Sequence, residues 1–139
     1  MAEMRLLALA CLATLCLAAS ADAADQVRAT MTTSSIEPLV GSPWRYSITV
    51  RDRDGTPLAA RVRLQVVRGD VVVGCRKRSA IVRCSGSSSG RWIAFKGRHT
   101  ATIAWPSFSV GVGLTFKATI LSGTRTLLLG APVRSRALP

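Results

Sequence analysis

After residue 23, the only carboxylates close enough to act as a pair are Asp52 and Asp54, and the only histidine is His99. Paired carboxylates run general acid–base chemistry when their surroundings split their pKa values. Here Arg51 and Arg53 flank them, which keeps both ionised and repels a metal cation. Asp-x-Asp-Gly also recurs in calcium loops, but such a loop needs six or more oxygens and a closing Glu, and none follows at suitable spacing. The expectation is therefore a turn in which Asp side chains cap their own backbone and Gly55 takes positive φ. Ser87, Ser88 and Ser89 lie in a Gly/Ser tract, not in a strained G-x-S-x-G turn, and no acid is placed to orient His99. His99 reads as a hairpin-turn residue. No catalytic, metal or cofactor constellation results, and the chain is expected to be a non-enzyme.

Charge is the stronger signal. The chain has 19 Lys and Arg against 7 Asp and Glu, and all but three of the 19 cations are arginine. Arg76, Lys77, Arg78 and Arg83 cluster, with Arg91 and Arg98 close behind. Guanidinium groups bind phosphate and carboxylate bidentately, so these six are the candidate anion-binding residues. A second set, Arg45/Arg51 and Arg61/Arg63, alternates with apolar residues on two strands. A solvated face, or an arginine-favouring coding bias, is the plainer account of the same charge. Trp44 and Trp105 fall on apolar registers and read as core. Trp92, beside the Ser-rich tract, is the one aromatic considered for ligand contact.

Cysteines and the amino terminus set the compartment. Met1 to Arg5 ends in a cation, Leu6 to Ala19 is an apolar run of 14 residues, and Ala21-Asp22-Ala23 offers small residues where a signal peptidase reads. These are the three parts of a secretory leader, residues 1–23. The run is shorter than the roughly 20 residues a membrane-spanning helix needs, so no stable transmembrane anchor is expected. Cleavage near Ala23 leaves 116 residues with 18 Lys and Arg against 5 Asp and Glu. Such a chain makes one domain, over 25–137. Cys75 and Cys84 are then the remaining cysteines, and an even pair in an exported chain reads as a disulfide. The expected location is secreted, extracellular or envelope-associated.

The elements that must position these residues are strands. Trp44, Tyr46, Ile48 and Val50 alternate with polar residues, as do Val62, Leu64 and Val66, and Leu114, Phe116, Ala118 and Ile120. Successive strand side chains point to opposite faces, so each run is a half-buried strand. Val27–Thr32, Val71–Val73, Ile81–Cys84, Arg91–Phe95, Thr100–Trp105 and Arg125–Gly130 supply the others. Ser85–Gly90 reads as a flexible low-complexity loop. No helical period is sustained after the leader. The expected fold is all-β, a sandwich of about seven to nine antiparallel strands.

The pattern G-x-P-x-x-Y-x-I-x-V-x-D-x-x-G-x-P-L-x-A-R-V-x-L, from Gly41 to Leu64, resembles bacterial immunoglobulin-like domains. Thr102–Pro106 and Leu114–Phe116 are similar to small exported actinobacterial proteins of that kind. The resemblance implies an immunoglobulin-like sandwich used for adhesion, scaffolding or domain spacing, and it carries no reactive group. The chain departs from it in the Cys75–Cys84 segment and the Ser-rich loop. Together these readings give a secreted, strongly basic binding module that contacts anionic envelope components through an arginine-rich, disulfide-closed hairpin. A purely structural domain that pairs with another exported protein is the alternative. Nucleic acid is not the expected physiological partner outside the cell.

Overall fold

The computed structural model describes residues 26–139. The secretory leader expected over residues 1–23 lies outside the described residues.

Among the described residues nine strands follow one another: β1 (Arg28–Thr33), β2 (Pro43–Arg51), β3 (Ala59–Arg68), β4 (Val71–Lys77), β5 (Ala80–Arg83), β6 (Trp92–Lys96), β7 (Arg98–Ala104), β8 (Leu114–Ser122) and β9 (Arg125–Val133). A single 3-10 turn, Ser107–Ser109, is the one helical element among the described residues. The apolar registers point inward as their alternation requires. Trp44, Tyr46, Ile48 and Val50 of β2, Val62, Leu64 and Val66 of β3, and Phe116, Ala118 and Ile120 of β8 are all buried. At the centre Trp44 stands edge-on to both Trp105, at 5.3 Å, and Phe116, at 5.1 Å, the arrangement that ring quadrupoles favour.

The fold is all-β as expected, but it is not a clear sandwich. Pairing runs continuously as β1-β2-β7-β5-β4-β3-β8-β9, and β1 packs back toward β9, so the sheet is barrel-like and nearly closed. Nor is it wholly antiparallel, because β5 meets β7 through one parallel bridge, Ala80 to Ala104. Alternation reports which face of a strand is buried. It is identical in a sandwich and in a barrel, and it does not name the neighbouring strand.

Two details shape the site. β3 is flanked by β8 along most of its length, while its other edge is shared between β6 over Ala59–Arg63 and β4 over Gln65–Arg68. The chain then turns a corner at Gly97, leaving β6 beside β3 to become β7 beside β2. Gly97 has φ +76°, its N–H donates to Leu58 O, and its carbonyl accepts from Val50 N–H. A Cβ there would lie 2.7 Å from Cβ of Pro57, so only glycine fits the corner.

Candidate anion-binding cleft

Because β5 touches β7 at a single bridge and β6 diverges at Gly97, the sheet does not seal between them. The gap is a cleft of about 350 Å³. Leu64 of β3 and Ile93 of β6 give it apolar walls, and Arg76, Arg78, Arg91 and His99 supply polar groups. Among the described residues no acidic side chain lines it.

Arg76 is on the inner face of β4, where Gly74 two residues earlier packs against Ile81 and Val66. Its Nε donates to the Arg78 carbonyl at 2.8 Å, and its Nη1 donates to the Tyr46 hydroxyl at 2.9 Å. The Tyr46 hydroxyl lies 2.9 Å from His99 Nε2. A guanidinium can only donate, so the Tyr46 oxygen accepts from Arg76 and its own O–H is available to donate to Nε2, which Arg76 Nη1 also approaches at 3.5 Å. In that arrangement a neutral His99 has its ring proton on Nδ1. Burial pushes the Tyr46 phenol up to about 12 despite the nearby Arg76 charge. Burial first, then the Arg76 charge, hold the His99 imidazole below its ordinary value. At neutral pH the relay is thus Arg76 cation, Tyr46 phenol, neutral imidazole. Nη2 of Arg76 has no protein partner among the described residues and remains a free donor pair.

Arg78 adds backbone strain. It is the first residue of the two-residue turn between Lys77 and Ala80 and has φ +58°, a region that side chains other than glycine rarely adopt.

Of the six expected anion-binding cations, the fold gathers Arg76, Arg78 and Arg91 and disperses the rest. Lys77 is exposed and alternates with Arg76 onto the outer face. Arg83 stacks on Phe108, its Cζ 4.2 Å from the ring centroid. Arg98 is on the outer face of β7, donating from Nε to Ser47 Oγ at 3.0 Å. Trp92 borders the cleft, but its indole is opposite Arg63 on β3 and is covered by the guanidinium groups of Arg63 at 4.7 Å and Arg61 at 5.8 Å. The sets Arg45/Arg51 and Arg61/Arg63 are separate, because β2 and β3 are not neighbours.

Three further expectations meet the structure. The Cys75–Cys84 disulfide is present, with Cα atoms 5.8 Å apart, on the outer face of the β4–β5 hairpin beside Val67 and Val72. It braces that hairpin from the side opposite Arg76. Asp52 caps its turn, Oδ1 accepting from the N–H groups of Asp54 and Thr56, both at 2.9 Å. The Ser-rich loop is corrected from flexible to anchored. Gln65, only 2% exposed, donates to the carbonyls of Ser87 and Ser89, and Arg63 donates to those of Ser87 and Ser88.

His99 is also corrected. It belongs to β7, not to a turn, and faces inward with Ala101 and Ile103. That period-two register was the available signal for it. Alternation places Tyr46 in the core, and the hydrogen-bond partners that a buried phenol needs are Arg76 and His99.

No family model matches the chain, and no curated protein sequence matches it. Among solved structures it is similar over 81% of its length to Spo0M, a sporulation control protein from Bacillus subtilis, at 9% identity and a TM-score of 0.49. It is similar over 78% to a DUF4466 family protein from Parabacteroides merdae, at 11% identity and a TM-score of 0.43. Over 77% it is similar to a β-glucuronidase from glycoside hydrolase family 2, at 11% identity and a TM-score of 0.35. The chain spans 50%, 43% and 11% of those three chains, and likeness of this size says nothing about function.

Among the described residues no helix is long and apolar enough to cross a membrane, which leaves strand-built spans unaddressed.

Proposed function

We propose that the protein is an exported, non-enzymatic binding module that captures a phosphate or carboxylate group of an anionic envelope component in the cleft between β4, β6 and β7. One observation carries the reading: the Arg76 guanidinium is held by Tyr46 and the Arg78 carbonyl, with two more arginines and, among the described residues, no carboxylate around the same cavity. An arginine already fixed in place loses little side-chain entropy on binding, and charge-assisted hydrogen bonds to guanidinium are among the strong ones. The disulfide, usual in oxidising compartments, and the leader-like start of the chain favour export. The immunoglobulin-like pattern from Gly41 to Leu64 fits a binding role.

Retention on isolated cell envelopes tests it. Bound protein should be released steeply as salt rises, because accessible charges are screened. The combined variant Arg76→Gln, Arg78→Gln and Arg91→Gln should be retained at least tenfold less at low salt. Salt-independent retention, or equal retention of the variant, would refute the reading.

The second reading is an accessory domain that pairs with another exported protein through an apolar surface. Val71 on β4 and Leu128 on β9, 63% and 64% exposed, are the apolar side chains such a partner would cover. A co-purifying partner with no affinity for polyanions would mark that case.

A further inference from the structure

The outer face of β1, β2 and β7 plays no part in the cleft, yet its composition is unusual. Across the three strands Arg28 is opposite Arg51, and Thr30 is opposite Thr49, itself opposite Arg98. On the next rungs Thr32 is opposite Ser47 and Ser47 opposite Thr100, and Arg45 is opposite Thr102. Every outward position from the Arg28 rung to the Arg45 rung is thus arginine, threonine or serine. An ordinary solvated sheet face mixes charges of both signs. This one has four guanidinium groups set in a lattice of hydroxyls.

The lattice is also ordered. Arg98 lies across it, Nε donating to Ser47 Oγ at 3.0 Å and to Thr100 Oγ1 at 3.3 Å, and Ser47 Oγ is 3.0 Å from Thr100 Oγ1. The Thr30 and Thr49 hydroxyls are hydrogen-bonded to each other. A shallow groove opens at each end. One, of about 190 Å³, runs past Arg45, Ser47 and Arg98. The other, of about 310 Å³, runs past Arg28, Thr49 and Arg51. The single carboxylate at its edge, Asp52, is already engaged by two backbone N–H groups of its own turn.

We propose that this face is a second binding surface, laid out for a linear polymer of phosphate- or sulfate-type groups lying along the strands. Outward positions on one strand recur about every 6.8 Å, so Arg45 and Arg51 are about 20 Å apart. A lone anion meets one end of such a surface, whereas a chain of anions meets both. None of the outward side chains is aromatic, and Tyr46, which borders the Arg45 groove, is fully buried, so the face offers no stacking platform for nucleobases or sugar rings, and charge with hydroxyl hydrogen bonding is the chemistry left. The surface is independent of the cleft, because Arg98 and His99 leave β7 on opposite faces.

The test is titration of the protein with long-chain polyphosphate and, in a second arm, dextran sulfate, with pyrophosphate as the short-anion probe. The variant Arg28→Gln, Arg45→Gln and Arg51→Gln should lose at least tenfold in affinity for either polymer and keep the parent affinity for pyrophosphate. Its salt dependence should also flatten, since fewer counterions are exchanged on binding. A charge-matched control, Arg68→Gln, Lys96→Gln and Arg134→Gln, should lose much less. Equal losses in control and variant, or parent-like polymer binding by the variant, would overturn the proposal. Failure of pyrophosphate to bind the parent protein would sink the cleft reading instead, and the polymer arms would still decide this surface.

Discussion

Arg76 donates from Nη1 to the Tyr46 hydroxyl at 2.9 Å, although the two residues are on strands that do not pair. This contact reaches across the unsealed part of the sheet and aims a fixed cation at the cleft. Tyr46→Phe keeps the ring packed against Trp44 and Phe116 but removes the hydroxyl from between Arg76 and His99. Leaving a partly buried donor and acceptor unmatched costs roughly 1–3 kcal/mol. Urea unfolding should show that loss, with anion affinity reduced less than in Arg76→Gln. Unchanged stability would mean that water replaces the hydroxyl without penalty.

Stability should fall as the solution is acidified below neutrality. The folded-state pKa of His99 is held below the 6.5 of the unfolded chain by burial and by Arg76. Between those two values the unfolded chain binds more protons, so folding weakens as pH drops through that window. Tyr46 is its hydrogen-bond partner, and Arg78 and Arg91 line the same cleft. A bound anion offsets their charge and lets His99 take its proton, so affinity for sulfate, which does not titrate there, should rise over the same window. Melting curves and sulfate titrations at stepped pH check both slopes. His99→Gln should flatten both.

Arg78 is strained where glycine would not be. A left-handed side-chain residue costs about 1–2 kcal/mol, and the extra freedom of glycine in the unfolded chain returns roughly 0.5–1 of that. Arg78→Gly should therefore stabilise the protein by about 0.5–1 kcal/mol and weaken anion capture together. A thermal melt and a pyrophosphate titration on the same sample read the two effects. Stabilisation without loss of affinity would remove Arg78 from the site.

The Gly97 corner can be weighed against an open turn. Gly55 has φ +85° and open space for 4 Å around the position a Cβ would take, whereas at Gly97, with φ +76°, a Cβ would meet Pro57 at 2.7 Å. Gly55→Ala should cost about 1 kcal/mol from conformation alone. Gly97→Ala should cost at least about 2 kcal/mol more, because the contact is with the ring Cβ of Pro57, which can shift only with its own backbone. Equal penalties in chemical denaturation would show that the corner yields.

Much of the fold is legible in the residues. Each of the nine observed strands overlaps a stretch that alternation or turn chemistry marks, and the capping role of Asp52 follows from its turn. The cleft is not legible, because it depends on which strand edges meet. Arg83 and Arg98 are near Arg76 in sequence, yet one stacks on Phe108 and the other leaves β7 on the face opposite His99. His99 joins Arg76 only because β7 bridges β5 at Ala80–Ala104, a long-range contact that local pattern does not encode. The Ser-rich loop misleads for a similar reason. Its composition suggests freedom, while the donors that pin it, Arg63 and Gln65, come from β3.

Isothermal titration of pyrophosphate into the parent protein, Arg76→Gln and Arg83→Gln tests the cleft most directly. One saturable site is expected in the parent, at least tenfold weaker in Arg76→Gln and unchanged in Arg83→Gln, whose guanidinium rests on Phe108 outside the cleft. Equal affinity in all three, or equal loss in both variants, would contradict it.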